Sequence, residues 1–142
     1  MAYIEHEKTL RDGTLVGGEP TPAQRQTLID AGYKTMVSLR GHGESAFTKD
    51  DYEKSGAKLV HLPISGPHDF SEAFLEKFNE VISTTDTPRV IFCATGNRVG
   101  AALALHAFRF KGHDVNSALE LGKNAGLTRL EPFVRSWLDA QS

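Results

Sequence analysis

The residues best suited to chemistry lie in one short segment, residues 93–98. The segment opens with Cys93, the single cysteine of the chain, and closes with Arg98. An apolar run precedes it and an apolar segment with helical spacing follows it, which predicts a strand, a loop and a buried helix in that order. The N-terminus of such a helix favours an anion and the thiolate form of a nearby cysteine, because its first N–H groups have no intrahelical partner. The segment therefore predicts an oxyanion site that contains a nucleophile.

Other residues of this loop suit the same task. Arg98 can hold two oxygens of an oxyanion through its planar fork, and Gly96 permits a backbone path that a side chain would obstruct. A lone cysteine at the end of a strand is more often a small buried apolar residue. The glycine, the arginine and the following helix together favour the anion-binding thiol. We expect these residues to bind the anion: Ala94, Thr95, Gly96, Asn97, Arg98 and Val99.

Strands that alternate with helices are predicted to position the loop. The periodicity of apolar residues predicts helices at 22–31, 48–55, 71–83, 99–110, 115–125 and 131–140, and strands at 34–40, 58–62 and 89–92. The first helix has the clearest limits, with a capping box at Thr21 and Gln24 and a stop at Gly32. This order predicts an α/β fold of three layers, with a mostly parallel central sheet flanked by helices. Ligands bind such sheets beyond the carboxyl ends of the strands, where residues 93–98 fall.

Composition narrows the class of protein. A chain of 142 residues fits one domain over residues 1–142, and its formal net charge of -2 provides no basic field for nucleic acid or an anionic membrane. No signal-peptide pattern or long apolar run is present, so we expect a cytoplasmic protein, or a periplasmic one if a leader was removed. One cysteine excludes an intramolecular disulfide, and the six histidines lack metal-ligand spacing. We predict no metal and no cofactor, and no pattern indicates an oligomeric state.

Several segments in chain order resemble the beta-lactamase-hydrolase-like phosphatase family, a bacterial, protein-tyrosine-phosphatase-like group similar to dual-specificity phosphatases. The resemblance covers residues 14–127 and rests on residues 17–22, 33–40, 60–64, 93–101 and 122–127, with Glu44 at the family's acidic position. It implies a cysteine-phosphatase fold and hydrolysis of a phosphate monoester or another oxyanion substrate. In that reaction Cys93 would form a phosphocysteine, Arg98 and the phosphate-binding loop (P-loop) would hold the oxygens, and Asp69 would protonate the leaving group.

Two groups near the loop allow more than one interpretation. Asp69 and Glu72 also have the spacing of a helix capping box, which would give Asp69 a structural role. His68 could replace Asp69 as the acid or steer substrate. Arg40 and Glu44 flank a glycine-rich turn, and we expect a surface ion pair there. The alternatives are an ion pair near the site and a contact with substrate.

Three features differ from ordinary tyrosine phosphatases. Four residues separate Cys93 from Arg98 instead of five, Phe92 replaces a histidine, and Val99 replaces a Ser or Thr that can donate a hydrogen bond. The shorter spacing is similar to the loop of rhodanese-type sulfurtransferases, in which the cysteine carries a persulfide. A phosphatase is the favoured hypothesis. The alternatives are a sulfurtransferase that uses a Cys93 persulfide and a non-catalytic anion-binding or protein-binding module on the same fold.

Overall fold

A computed structural model describes residues 2–142, within which five strands form one sheet. The strands lie in the order β1-β2-β5-β3-β4, and only the β1–β2 pair is antiparallel. Their bounds are β1 Lys8–Thr9, β2 Leu15–Gly18, β3 Thr35–Ser38, β4 Lys58–His61 and β5 Arg89–Cys93. The parallel strands carry their carboxyl ends to one edge of the sheet, as the sequence pattern predicts.

Helices cover both faces of this sheet. They are α1 Pro22–Asp30, α2 Lys49–Lys54, α3 Glu72–Thr84, α4 Asn97–Phe110, α5 Val115–Asn124 and α6 Glu131–Gln141. Helices α1 and α2 pack with Met36, Val90 and Phe92 on one face. The other four helices pack on the opposite face, against a cluster that includes Val37 and Ile91. The predicted three-layer α/β fold with a mostly parallel sheet is confirmed.

Strand β5 lies at the centre of the sheet between β2 and β3, and all five of its residues are buried. Its side chains alternate between the two faces, as the pleat requires. Phe92 therefore packs with α1 and α2, whereas Cys93 belongs to the cluster on the α3–α6 face. The chain leaves β5 at the edge where ligands bind such sheets and enters α4 after three residues.

Capping residues explain where the helices begin. Thr21 and Gln24 form the predicted reciprocal capping box at α1, and Gly32 follows that helix with φ +99°. Thr48 and Asp51 form a second box at α2. The helices predicted from periodicity are all present, and none of their ends differs from the prediction by more than two residues. Strands β1 and β2 were not predicted. No helix within residues 2–142 has both the length and the apolar character needed to cross a bilayer.

Candidate active site

Cys93 is the last residue of β5 and is 1% exposed. Its Sγ accepts a hydrogen bond from the backbone N–H of Gly96 at 3.1 Å. Gly96 has φ +91°, a conformation that glycine adopts without strain, and it caps the N-terminus of α4. The turn thus brings a backbone donor onto the sulfur, which stabilises a negative charge there.

The segment after α5 supports this turn from outside. A Cβ on Gly100 would lie 2.3 Å from the backbone nitrogen of Leu127, and a Cβ on Gly126 would lie 2.9 Å from the carbonyl oxygen of Gly96. Asn97 adds a polar contact, because its Oδ1 accepts from the backbone N–H of Thr128 at 2.9 Å. The predicted anion-binding residue Asn97 therefore uses its side-chain oxygen for residues 128–130, and its backbone N–H lies at the start of α4.

The N-terminus of α4 supplies the predicted anion-binding amides. The first backbone bond of this helix runs from the N–H of Gly100 to the carbonyl of Gly96, at 2.8 Å. The N–H groups of residues 97–99 precede that bond and have no intrahelical partner. Together with the helix dipole they favour an anion next to Cys93.

Arg98 is held by two partners outside its helix. Its Nη1 and Nη2 donate to Glu44 Oε1 and Oε2 at 2.7 and 2.6 Å, and Nη1 also donates to the carbonyl of Ile64 at 2.8 Å. These bonds use three of the five N–H groups of the guanidinium. The Nε–H and the second Nη2–H remain, and they lie along one edge of the planar group. Arg98 thus keeps one two-donor edge for an oxyanion while Glu44 fixes its orientation.

Electrostatics keep both members of this pair charged. The bonds from Arg98 lower the pKa of Glu44 from 4.5 to about 2, with further contributions from the Gly41 N–H and from Arg40. The pKa of Arg98 is raised, first by Glu44 and also by the nearby Cys93. At neutral pH the site therefore holds a guanidinium with a compensating carboxylate behind it.

The expected pair of Arg40 and Glu44 is present and extends further than a local surface contact. Arg40 Nε lies 3.2 Å from Glu44 Oε2 and 3.4 Å from Glu19 Oε1. Neither Nε contact has hydrogen-bond geometry, so the attraction is electrostatic, whereas Arg40 Nη2 donates to the Glu44 carbonyl at 3.0 Å. Glu44 accordingly bridges Arg40 and Arg98, which connects the β3–α2 loop to the predicted anion site.

Asp69 lies in the loop between β4 and α3. Its Oδ2 accepts from the backbone N–H groups of Ser65 and Gly66 at 2.7 and 3.3 Å, and these bonds lower its pKa. The capping alternative is wrong, because Ser71 is the N-cap of α3 and accepts from the Phe74 N–H. Asp69 instead closes the turn at 65–69. Among the described residues, its polar contacts are within this turn and none of them joins it to Cys93.

His68 lies beside Asp69, with Nε2 at 3.5 Å from Asp69 Oδ1, and its side chain is 82% exposed. Phe92 and Val99, which stand where ordinary tyrosine phosphatases have polar side chains, are fully buried. Phe92 stacks on Tyr52 with ring centroids 6.0 Å apart. These two positions contribute packing around the loop, and its polar contacts come from Gly96, Asn97 and Arg98.

Three contributors to the site were missed by sequence reasoning. They are Glu19, Tyr52 and the carbonyl of Ile64. Tyr52 is 33 residues from Glu19, and Ile64 is 34 residues from Arg98, so no local spacing indicates either contact. Glu19 follows β2 directly, and its position at the carboxyl edge is the one signal that could have found it. Within residues 2–142, no group of three or more His, Cys, Asp or Glu side chains could hold a metal ion.

Comparison with solved structures shows which other proteins share the fold of this chain. Tk-PTP in its active form is 18% identical, with 96% of this chain and 98% of that chain covered and a TM-score of 0.71. A candidate phosphatase from Neisseria meningitidis is 22% identical, with 100% and 99% covered and a TM-score of 0.73. The core catalytic domain of a PP-IP phosphatase from S. cerevisiae is 15% identical, with 95% and 86% covered and a TM-score of 0.70.

The chain therefore has the fold of the protein-tyrosine-phosphatase-like phosphatases. No protein family defined by its sequence pattern matches it, and no curated protein matches it in sequence. The likeness is one of backbone architecture, and the chemistry has to be argued from the residues of the site.

Proposed function

We propose that this protein is a cysteine-dependent phosphatase that hydrolyses a phosphate monoester through a phosphocysteine intermediate. The observation that carries the proposal is the pairing of Cys93 with the free edge of Arg98. The Gly96 N–H donates to the sulfur, and Glu44 and Ile64 leave two donors of Arg98 along one edge. A nucleophile, a two-donor clamp and a helix N-terminus together suit a tetrahedral oxyanion.

The reaction proceeds in two displacements. The Cys93 thiolate attacks phosphorus, the bond from phosphorus to the ester oxygen breaks, and the departing oxygen takes a proton. Water then attacks the phosphocysteine, the P–S bond breaks, and inorganic phosphate leaves with the thiolate restored. Throughout, Arg98 and the amides of residues 94–99, apart from that of Gly96, which donates to the sulfur, hold the non-bridging oxygens, whose charge is distributed in the transition state.

Asp69 is the proposed donor of the proton to the leaving group. The Ser65 and Gly66 N–H groups stabilise its ionised form and lower its pKa. Protonated Asp69, the form that can donate, is therefore populated mainly under acidic conditions. We therefore expect alkyl esters, whose leaving groups need a proton, to react best under acidic conditions. Aryl esters have better leaving groups and should depend less on Asp69.

Membership of the beta-lactamase-hydrolase-like phosphatase family is part of the proposal. The segments at 17–22, 60–64 and 93–101 support it, since they surround the carboxyl edge of the sheet. The structurally similar S. cerevisiae protein acts on PP-IP, which is compatible with an oxyanion substrate here. The phosphate monoester is the substrate class we propose for this chain.

The test compares wild type with Cys93→Ser and Arg98→Lys on p-nitrophenyl phosphate. We expect Cys93→Ser to reduce turnover to background while inorganic phosphate still binds. Replacing the fork of Arg98 with a point charge should lower kcat by about 10²-fold or more. The matched control is Arg109→Lys, a change of the same kind in the last turn of α4, where Arg109 pairs with Glu72. Full activity of Cys93→Ser would overturn the proposal.

Sulfur transfer is the second candidate, and the four-residue spacing between Cys93 and Arg98 is the observation that favours it. In that reaction the Cys93 thiolate would take the sulfane sulfur of thiosulfate, releasing sulfite, and would then pass that sulfur to a thiol acceptor. Intact-protein mass after treatment with thiosulfate distinguishes the candidates. A gain of one sulfur on wild type but not on Cys93→Ser, without hydrolysis of aryl phosphates, would favour the sulfurtransferase.

A further inference from the structure

A row of alternating charges runs outward from the candidate active site. It consists of Arg98, Glu44, Arg40 and Glu19, and we call it the ion-pair row. Successive members are in contact: Arg98 donates to Glu44 at 2.6 Å, and Arg40 Nε lies 3.2 Å from Glu44 and 3.4 Å from Glu19. The outermost member, Glu19, lies directly after β2, and its side chain is only 9% exposed.

Tyr52 anchors the outer end of this row. Its hydroxyl donates to Glu19 Oε2 at 2.6 Å, and Ser45 Oγ donates to the same oxygen at 2.8 Å. Tyr52 is 1% exposed, and burial together with Glu19 raises the pKa of its hydroxyl, which therefore remains a donor. A short bond to a buried carboxylate is strong and directional, so it fixes where the Glu19 charge lies.

The ring of Tyr52 also supports the strand that carries the nucleophile. It stacks on Phe92 with an angle of 11° between the ring planes, and Phe92 directly precedes Cys93. The guanidinium carbon of Arg25, itself a buried residue, lies 4.4 Å from the centroid of the Tyr52 ring. Tyr52 thus contacts both Phe92, the residue before Cys93, and Glu19, the outermost charge of the ion-pair row.

We propose that Tyr52 and Glu19 are positioning residues for the oxyanion site, acting through Arg40 and Glu44 on the orientation of Arg98. This inference rests on the proposed function for the use of the site. The physical argument is that Glu44 is shared by two guanidinium groups. Glu19 is the second partner of Arg40, so it limits how far Arg40 draws Glu44 away from Arg98. If the Tyr52 hydroxyl is removed, the Glu19 carboxylate is less fixed, and the disturbance reaches the edge of Arg98 that receives the oxyanion.

The experiment uses Tyr52→Phe, which keeps the ring and its stacking and removes only the hydroxyl. We measure the Kd of tungstate by calorimetry, and kcat and KM with p-nitrophenyl phosphate. Tyr52→Phe should weaken tungstate binding and lower kcat/KM by about 10-fold. Glu19→Gln should act in the same direction and more strongly, because it removes the charge. The matched control, Tyr33→Phe, changes a half-buried tyrosine that packs on Tyr3 outside the row, and it should leave both constants unchanged.

A double-mutant cycle separates positioning from general packing. In a Glu44→Gln background the row is already interrupted, so adding Tyr52→Phe should change the Kd by less than about twofold. Full additivity of the two losses would overturn the inference, as would a Tyr52→Phe single variant with wild-type constants. A lower unfolding midpoint with an unchanged Kd would also overturn it, since that result assigns Tyr52 to packing alone. If Tyr52→Phe does not fold, Glu19→Gln in the same cycle decides the question by the same criteria.

The tungstate measurement keeps this inference distinct from the proposed function. Tungstate binding needs the oriented Arg98 and not turnover. If the wild type binds tungstate but does not hydrolyse the ester, the proposed phosphatase function is contradicted. The double-mutant cycle on the Kd of tungstate can still be measured in that case. A wild type that binds and hydrolyses, with Tyr52→Phe indistinguishable from it, would contradict only the positioning role. A wild type that binds no oxyanion would contradict both.

Discussion

Replacing Glu44 with glutamine gives a quantitative test of the pair that orients Arg98. The pKa of Glu44 is lowered from 4.5 to about 2, mainly by the bonds from Arg98 and further by the Gly41 N–H and by Arg40. At about 1.36 kcal/mol per pH unit, this difference corresponds to an upper limit of about 3.4 kcal/mol for the stability that ionised Glu44 contributes. The Glu44 side chain is 30% exposed, so solvent screening reduces the contribution to about 1–2 kcal/mol. We expect Glu44→Gln to lose that amount at pH 7.

The pH dependence of this loss follows from the direction of the shift. Because the pKa of folded Glu44 lies below its unfolded value, ionisation stabilises the fold above pH 4.5, and the stabilisation disappears as the pH falls toward about 2. The other acidic groups titrate in both proteins and largely cancel in the difference. The difference in unfolding free energy between wild type and Glu44→Gln should therefore be constant near neutrality and shrink through this acidic range.

Urea unfolding at a series of pH values measures this difference. The matched control is Glu53→Gln, which removes an exposed carboxylate lying 4.0 Å from Lys49 within α2. It should change the unfolding free energy by less than about 0.5 kcal/mol. A Glu44→Gln loss that stays the same down to pH 2 would refute the electrostatic reasoning and would attribute the effect to hydrogen-bond geometry. No loss at pH 7 would contradict the expected contribution of ionised Glu44 to stability.

Three further changes test the support of the loop and the acid. Asn97→Ala should cost about 2 kcal/mol in urea unfolding, because it leaves the backbone N–H of Thr128 without its partner in a partly buried place. Gly100→Ala should cost about 3 kcal/mol in the same assay, since its Cβ would meet the backbone of Leu127; a smaller loss would mean that the contact with α5 yields easily. Asp69→Asn should lower kcat for an alkyl phosphate by about 10²-fold and flatten the decline of rate with rising pH, whereas an unchanged pH–rate profile would leave Asp69 a purely structural role.

Local chemistry allowed much of the architecture to be predicted. The capping box at Thr21 and the stop at Gly32 define α1 through contacts within a few residues, and such contacts are legible in a sequence. Strand β2 could not be recognised in this way, because two of its four residues are glycines, which disfavour strands. These glycines are instead required by close tertiary contacts, which leave no room for a Cβ. A Cβ on Gly17 would lie 2.7 Å from the Glu5 carbonyl oxygen, and one on Gly18 equally close to that of Ala94.

In the candidate site, too, the local features could be predicted from the sequence and the tertiary contacts could not. The nucleophile, the glycine turn and the clamp are adjacent in sequence and were predicted together as residues 93–98. The partner that orients the clamp was not predicted, since Glu44 is 54 residues from Arg98. The sequence predicts for Glu44 a surface pair with Arg40, an ion pair near the site or a contact with substrate, and it does not indicate Arg98 as the partner. The anion-binding role of the loop amides and the acid role of Asp69 stay predictions until the protein is assayed.

If residues 93–98 bind an anion as proposed, the ion-pair row explains how a short loop with apolar neighbours presents that site in an ordered form. Where ordinary tyrosine phosphatases use a histidine and a hydroxyl beside the cysteine, Phe92 and Val99 contribute packing only. In the positioning role that we propose, orientation comes from outside the loop, through a row whose two guanidinium and two carboxylate charges cancel. A neutral row adds little long-range attraction for an anion, so the fork of Arg98 and the amides at the start of α4 must supply the binding energy. Selectivity in such a site would depend on geometry more than on net charge, which is the physical reason for proposing that residues far from Cys93 influence it.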